Sequence, residues 1–289
     1  MASQQQLKSR IRSVKSTKQI TKAMQMVAAS KMRRAQDATK GSRPYTDAAR
    51  EILTYLQSQG VTDRHHWFEA REVKSRLIIV IAADKGLAGA YNSAMLKAYT
   101  TNLRSDDKDG VHNMTIAVGR KAAQFVTRIK DTEVVGTYEE LLDRPTGSQF
   151  HAILGTARDL FDQKKVDAVD VIYTKFVSSV TQTPEVIRLF PAGFTPSESV
   201  SDSVKEAVYE PDVERVLQDA AYRLIGAQLF QALLDARASE HSMRMMVMKN
   251  ATDNASDLID DLTLEMNKAR QGAITQELSE ISAGVEAMK

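Results

Sequence analysis

The segment of this sequence that most resembles a site for chemistry is a glycine-containing loop, Asp84 to Asn92 (DKGLAGAYN). It follows an apolar run and precedes a predicted helix, which is the position of a phosphate-binding loop in α/β proteins. Its two glycines, Gly86 and Gly89, do not supply the GxGxxG pattern of a dinucleotide fold, and the Gly-Lys pair of a P-loop is absent. We therefore predict a tight structural turn, with a nucleotide site as the alternative.

Other catalytic constellations are missing from the sequence. The histidines form no HExxH motif and no cluster with carboxylates at metal-ligand spacing; they are His65, His66, His112, His151 and His241. The absence of cysteine excludes a thiolate metal site and a cysteine nucleophile, and no serine stands in a GxSxG motif. We therefore disfavour an enzyme active site in this chain and expect neither a cofactor nor a metal.

The middle of the chain alternates between strand-like and helix-like segments. An apolar run at 77–83 predicts a strand that is buried on both faces. Further strands are predicted at 114–118, 133–136, 169–177 and 186–190, with helices after the glycine loop, at 120–129 and at 148–161. This alternation predicts a Rossmann-like α/β domain with a largely parallel sheet.

The C-terminal part of the chain predicts one very long helix. All six prolines lie at or before Pro211, so nothing after it breaks a helix as proline does. Glu210, Pro211 and Asp212 form a helix-start signal. Apolar or small residues then recur at alternating steps of three and four, which is a heptad seam. They are Met245, Met248, Thr252, Ala255, Ile259, Leu262, Met266, Ala269 and Ala273.

The N-terminal segment predicts a second helix with a weaker seam. That seam comprises Leu7, Ile11 and Val14 and, after a register change, Met24, Val27 or Ala28, Met32 and Ala35. Two long helices with seams, far apart in sequence, predict an antiparallel two-helix coiled coil. The predicted division is an N-terminal coiled-coil helix at 1–58, an α/β domain at 74–194, a linker at 195–211 and a C-terminal coiled-coil helix at 212–289.

Charge is distributed unevenly, although the formal net charge is only +2. Residues 1–36 include nine Lys or Arg and no Asp or Glu, whereas residues 250–267 include five acids and no Lys or Arg. An antiparallel pair would place these opposite charges side by side. Nucleic-acid binding by the basic arm is therefore disfavoured, and the arm also lacks an aromatic residue before Tyr45.

The sequence predicts no direct membrane span. No apolar run approaches the ~20 residues that a membrane-spanning helix needs. The opening residues MASQQQLKSR lack the apolar core of a secretory signal. We expect any membrane association to be through partners.

Three segments together resemble the gamma subunit of F-type ATP synthases. They are ITKAMQMVAASKMRRAQ at 20–36, ADKGLAGAYNS at 83–93 and ATDNASDLIDDLTLEMNKARQGAITQELSEISAG at 251–284. The resemblance extends from end to end and is most specific near the two termini. It implies a non-catalytic rotor that couples ion flow across a membrane to ATP synthesis or hydrolysis.

The resemblance also implies partners, a location and contact residues. The paired helices would lie inside a ring of alpha and beta subunits, and the α/β domain would meet the epsilon subunit and the membrane c-ring. The location implied is the cytoplasmic face of a bacterial plasma membrane. The residues that match family contact positions are Arg270, Gln271, Thr275 and Glu277, for loops of the catalytic subunits, and Met24, Lys31, Arg33 and Arg34, for acidic loops of the beta subunits.

The main alternative function is a coiled-coil adaptor or a nucleic-acid-binding scaffold that uses the basic arm. This alternative explains the N-terminal charge, but it explains neither the acidic complement nor the α/β domain.

Matching the two seams and the two charged segments predicts a register for the paired helices. Paired residue numbers should sum to about 266. Leu7 then faces Ile259, and Met24 faces Met243. Beyond about Arg270 the C-terminal helix should continue without a helical partner from this chain.

Overall fold

A computed structural model describes residues 4–130, 132–140 and 147–287 of the chain. These residues form two compact units. One unit comprises the chain up to Ala28 together with the chain from Arg244 onward, and the other comprises Ala29 to Met243. The long first and last helices each contribute residues to both units.

The second unit is an α/β domain built on a five-stranded sheet. Its strands are β1 (Ser75–Ile81), β2 (His112–Val118), β3 (Glu133–Tyr138), β4 (Ala168–Phe176) and β5 (Gln182–Phe190), in the order β3-β2-β1-β4-β5. The first four strands are parallel, and β5 pairs with β4 in the antiparallel sense. The predicted strands and the largely parallel sheet are therefore confirmed.

Helices cover both faces of this sheet. They are α1 (Gln4–Ser58), α2 (Tyr91–Asp109), α3 (Arg120–Val126), α4 (Ser148–Asp162), the single turn α5 (Asp202–Lys205) and α6 (Val213–Ala287), with a 3₁₀ turn at Thr62–Arg64. On one face, α2 and α3 pack on Ile78 and Val80 of β1. On the other, α1, α4 and α6 pack on Leu77, Ile79 and Ile81. Both faces of β1 are thus buried, which explains its continuous apolar sequence.

The two end helices are long and uninterrupted. α1 runs through Pro44 without a break, and α6 spans 75 residues, about 110 Å at 1.5 Å per residue. Asp212 caps α6, because its carboxylate accepts a hydrogen bond from the backbone N–H of Arg215 at 2.7 Å. The helix therefore begins at Val213, directly after the predicted start signal of Glu210, Pro211 and Asp212.

In the first unit α1 and α6 pair in antiparallel orientation, as predicted. Leu7, Ile11 and Leu262 form a buried cluster, with Ile259 and Met266 among the residues that pack against it. The α1 seam has no register change, since buried or half-buried positions recur at steps of three and four throughout. They are Leu7, Ile11, Val14, Lys18, Thr21, Gln25 and Ala28. The polar residues Lys18, Thr21 and Gln25 occupy seam positions that sequence reasoning had not assigned to them.

The predicted register was wrong by one heptad. The hydroxyl oxygens of Thr21 and Thr252 lie 2.8 Å apart, so paired residue numbers, 21 and 252, sum to 273. A slip of seven residues leaves a heptad seam in phase, so the apolar pattern alone could not choose between the two registers. The structure itself distinguishes them, because it places Thr252 opposite Thr21, whereas the slipped register would place it opposite Val14.

We expect a disulfide to form on mild oxidation when Thr21 and Thr252 are both changed to Cys. The chain has no native cysteine, so the crosslink can be read directly by non-reducing electrophoresis. The matched control pairs Thr21→Cys with Met245→Cys, the partner required by a sum of 266. A crosslink in the control and none in the first variant would restore the rejected register.

Candidate partner-binding surfaces

The glycine loop lies at the carboxyl edge of the parallel sheet and is tightly built. The backbone N–H of Ala83 donates to Asn92 Oδ1 at 3.1 Å, which ties the strand end to the start of α2. Leu87 and Gly89 both have left-handed backbone conformations. At the neighbouring loop, a Cβ on Gly119 would lie 2.1 Å from the carbonyl oxygen of Ala82, so only glycine fits there. These contacts fit the predicted structural turn.

The crevice beside this turn is occupied by α6. Because strand order reverses between β1 and β4, this edge is where α/β folds bind their ligands. Here the Tyr91 hydroxyl donates to the carbonyl of Ala236 at 3.1 Å, and the Ser239 hydroxyl donates to the carbonyl of Thr174 at 3.1 Å. Met243 packs on a buried cluster that includes Tyr91. The chain's own helix therefore fills the position that a nucleotide would take.

A buried group of charges joins the turn to α6. The Asp84 carboxylate accepts a hydrogen bond from Arg237 Nη2 at 3.1 Å, and Arg237 Nη1 donates to Glu240 Oε2 at 3.0 Å. Their side chains are only 13%, 14% and 4% exposed for Asp84, Arg237 and Glu240. Each charge thus has an opposite partner, as buried charges require.

Asp84 also accepts hydrogen bonds from backbone groups that follow β2 and β3. Its Oδ1 atom accepts hydrogen bonds from the backbone N–H groups of Arg120 and Glu140, each at 3.0 Å. Burial by itself raises the pKa of this carboxyl, but the two N–H donors and the Arg237 guanidinium outweigh that effect. The pKa of Asp84 therefore lies below its usual value.

Sequence reasoning placed Asp84 in the loop but missed its partners on α6. A signal was available, because Asp235, Arg237 and Glu240 are charged residues within a stretch of α6, Ala232 to Glu240, whose other members are apolar or small. Charges in such a stretch need partners if the stretch is buried. Which residue supplies the partner depends on the tertiary fold, which the local pattern does not specify.

The C-terminal part of α6 is a candidate partner-binding surface. Every residue from 270 to 283 is exposed. Three large apolar side chains in it, Ile274, Leu278 and Ile281, are 49%, 60% and 63% exposed. Their spacing of four and three residues aligns them in one stripe along the helix. An apolar stripe of this kind marks a surface for a partner.

The structure places the predicted contact residues on both end helices. Arg270, Gln271, Thr275 and Glu277 all lie exposed within the segment just described. Met24 is half-buried in the first unit. In the second unit Lys31 is half-buried, and Arg33 and Arg34 are exposed. Their predicted roles stay predictions.

The described residues contain neither a metal-binding cluster nor a membrane-spanning helix. In residues 4–130, 132–140 and 147–287, no three His, Asp or Glu side chains are grouped closely enough to hold a metal ion. None of the helices in this part of the chain combines the length and apolarity needed to cross a membrane.

Comparisons with known proteins give consistent matches over the full chain. A family model described as ATP synthase matches residues 3–288. The ATP synthase gamma chain of Cupriavidus pinatubonensis is 38% identical over 292 residues, and that of Staphylococcus epidermidis is 36% identical over 289 residues. The gamma chain of Janthinobacterium is 40% identical over 291 residues. In all three cases the match covers 100% of both chains.

Solved structures share the fold. A chain from the central stalk and c-ring of the Tetrahymena thermophila mitochondrial ATP synthase matches with a TM-score of 0.59 and 23% identity, covering 80% of this chain and 99% of that one. A chain from the Euglena gracilis mitochondrial enzyme, in a structure of OSCP, F1 and c-ring, matches with a TM-score of 0.64 and 19% identity. That match covers 98% of this chain and 93% of the other.

We expect Asp84→Asn to lower the free energy of unfolding of the α/β unit by about 3 kcal/mol at neutral pH. Asparagine keeps an oxygen for the two backbone N–H groups, but its amide cannot balance the charge of Arg237. Because the pKa of Asp84 is lowered by folding, the stabilisation is complete above the ordinary value of 3.8 and is lost as pH falls through the folded-state pKa. The difference between variant and wild type should therefore shrink in acid.

Urea unfolding followed by the fluorescence of Trp67, the only tryptophan and a buried one, measures this difference. The control is Asp47→Asn, which removes an exposed ion pair with Arg50 and should cost less than about 1 kcal/mol. Equal effects of the two substitutions, or an Asp84→Asn effect independent of pH, would contradict the assigned role of Asp84.

Proposed function

Since the chain belongs to the ATP synthase gamma chain family, we propose that it is the central rotor subunit of an F-type ATP synthase. It transmits torque between a membrane c-ring and the catalytic alpha and beta subunits, and it couples ion translocation to ATP synthesis or hydrolysis. The synthesis and hydrolysis of ATP are carried out by the partner subunits. In agreement with this division, a segment of α6 packs in the crevice beside the glycine loop.

The observation that carries this proposal is the exposed apolar stripe of α6. Ile274, Leu278 and Ile281 lie on one side of a helical segment whose every residue from 270 to 283 is exposed. An isolated helix of this length is marginal in water. A surrounding ring of subunits supplies the missing apolar contacts, and an apolar, weakly directional contact suits a part that must turn within it.

Four polar residues near this stripe are proposed contacts with loops of the catalytic subunits. They are Arg270, Gln271, Thr275 and Glu277. Their exposure supports this role. The Thr275 hydroxyl donates to the carbonyl of Gln271 at 3.0 Å, so its oxygen can still accept a hydrogen bond from a partner. Because the side chains around the helix differ, each orientation offers each catalytic subunit different contacts and so favours a different conformation.

The basic part of α1 is the second proposed contact. Lys31, Arg33 and Arg34 are proposed to face acidic loops of the beta subunits, with Met24 supplying an apolar contact. Exposed ion pairs contribute only about 0 to 1 kcal/mol each. These charges therefore set orientation more than they set affinity.

The remaining proposals concern the location of the chain and the role of each of its segments. The complex is membrane-associated, and we place this chain on the cytoplasmic side of a bacterial plasma membrane. Of the helical segments 1–58 and 212–289, the parts outside the α/β unit, 1–28 and 244–289, are proposed to be held within the catalytic ring. The segment 195–211 links the second helix to the α/β domain, 74–194. That domain meets the epsilon subunit and the c-ring.

Reconstitution tests the proposed function. The purified chain alone should neither hydrolyse ATP nor bind nucleic acid at physiological salt. Mixed with alpha and beta subunits, it should assemble with them and turn relative to them when ATP is added. ATP hydrolysis by the isolated chain, or assembly that proceeds equally well without it, would contradict a rotor.

Truncation after Gln271 should leave the isolated chain as stable as the full-length chain, within about 0.5 kcal/mol. The residues removed make no buried contacts in the described part of this segment, 272–283. The assembled complex should nevertheless lose rotational torque, because the apolar stripe and the contacts of Thr275 and Glu277 are gone. Rotation of an attached bead against viscous load measures that torque.

Two point variants refine the truncation test. Leu278→Asn changes the apolar stripe, whereas Gln276→Asn changes the opposite side of the same helical turn. Torque should fall in the first and stay at the wild-type value in the second. Loss of stability in the isolated truncated chain would instead make this segment part of the fold.

A further inference from the structure

Three side chains of α6 between residues 237 and 242 hold the helix against the carboxyl edge of the sheet. Arg237 reaches Asp84 after β1, and the Ser239 hydroxyl donates to the carbonyl of Thr174 in β4. The Ser242 hydroxyl donates to the carbonyl of Ser179 at 2.7 Å, in the hairpin between β4 and β5. Ser239 and Ser242 are fully buried. These contacts lie within the α/β unit, which ends at Met243.

The three side chains do not leave the helix on the same side. At about 100° per residue, Arg237 and Ser239 differ in direction by about 200°, and Ser242 lies between them. No half of the helix circumference contains all three directions. A helix held on one side can roll on the surface beneath it, whereas rotation of α6 in either direction must lengthen at least one of these hydrogen bonds.

The Arg237 contact is connected to the rest of the sheet. Asp84 follows β1, and its carboxylate also binds the backbone N–H of Arg120, after β2, and that of Glu140, after β3. Force applied to Arg237 is therefore shared by three adjacent parallel strands. Glu240, 4% exposed, holds the other branch of the guanidinium and fixes its orientation from within α6.

We propose that Arg237, Ser239 and Ser242 form a torsional clamp that stops α6 from turning about its own axis against the α/β sheet, with Arg237 as the principal positioning residue. The inference rests on the proposed rotor function. A rotor needs such a joint, because torque that enters through the α/β domain reaches the catalytic ring only if the helix cannot turn independently of the sheet.

The test is the torsional stiffness of the assembled rotor. Alpha and beta subunits are fixed to a surface, and a bead is attached to Lys108→Cys, an exposed position in a chain without native cysteine. With rotation stalled, the angular fluctuations of the bead report the stiffness between the α/β domain and the ring. We expect wider fluctuations, hence lower stiffness, in Arg237→Met than in the parent chain.

The matched control is Arg76→Met in the same unit. Arg76 is 19% exposed and lies on β1, and its ion-pair partners, the buried Asp106 and Asp170, lie on α2 and β4 and not on α6. Its loss should lower thermal stability as Arg237→Met does while leaving the stiffness unchanged. Arg237→Lys, which keeps the charge but not the two-branched geometry, should give an intermediate stiffness and serves if Arg237→Met does not fold.

The outcomes separate the clamp from the rotor. A parent chain that assembles but never turns with ATP contradicts the rotor function. If the parent chain turns but Arg237→Met and Arg76→Met have equal stiffness, the clamp alone is overturned. Where Arg237→Met does not fold, equal stiffness in Arg237→Lys and the parent chain overturns the clamp in the same way.

Discussion

The structure depends on one constraint, which is that a long helix must cover its apolar stripe to be stable in water. α6 meets this constraint differently along its length. Between Leu217 and Met243 it lies on the α/β sheet, and between Met245 and Ala269 it lies on α1. From residue 270 to residue 283 its stripe is exposed. The last segment is the part of the chain that most needs another protein, which is why it carries the proposal of a surrounding ring.

The α/β domain illustrates how a common fold can serve a mechanical purpose. Its parallel strands and its switch in strand order create the crevice in which enzymes of this architecture bind a ligand. Here the crevice holds a segment of α6, and the carboxylate that follows β1 binds Arg237 of that helix. The features that would orient a substrate instead fix the position of a helix, so fold alone would have been a poor guide to function.

Much of this fold could be predicted from sequence, because it is dictated by local patterns. The strands follow from short apolar runs, and the paired helices follow from heptad seams and from the absence of proline after Pro211. The register could not be predicted, because a slip of seven residues preserves the seam. The register is set by contacts between the two helices, such as that between the hydroxyls of Thr252 and Thr21. Such a pairwise contact is invisible in either seam alone.

The two candidate sites also differ in how far they could be predicted from the sequence. The exposed stripe could be anticipated, since residues after Arg270 exceed the length that α1 can cover. The charged group of Asp84, Arg237 and Glu240 could not, because the tertiary fold brings together two elements far apart in sequence, the loop after β1 and α6. Sequence reasoning recognised the loop as a turn but had no means of finding what the turn contacts.

The packing of α6 on the sheet also has a consequence for the order in which the chain folds during synthesis. One face of the sheet is covered by Leu53 and Leu56 of α1 and by α6 residues from Leu217 to Leu233. The ribosome therefore completes all five strands before it makes the helix that closes this face. Until then the nascent domain exposes an apolar surface, which is the condition under which chains aggregate or recruit chaperones. A protein whose first and last segments pair with each other can complete its folding only when its synthesis is nearly finished.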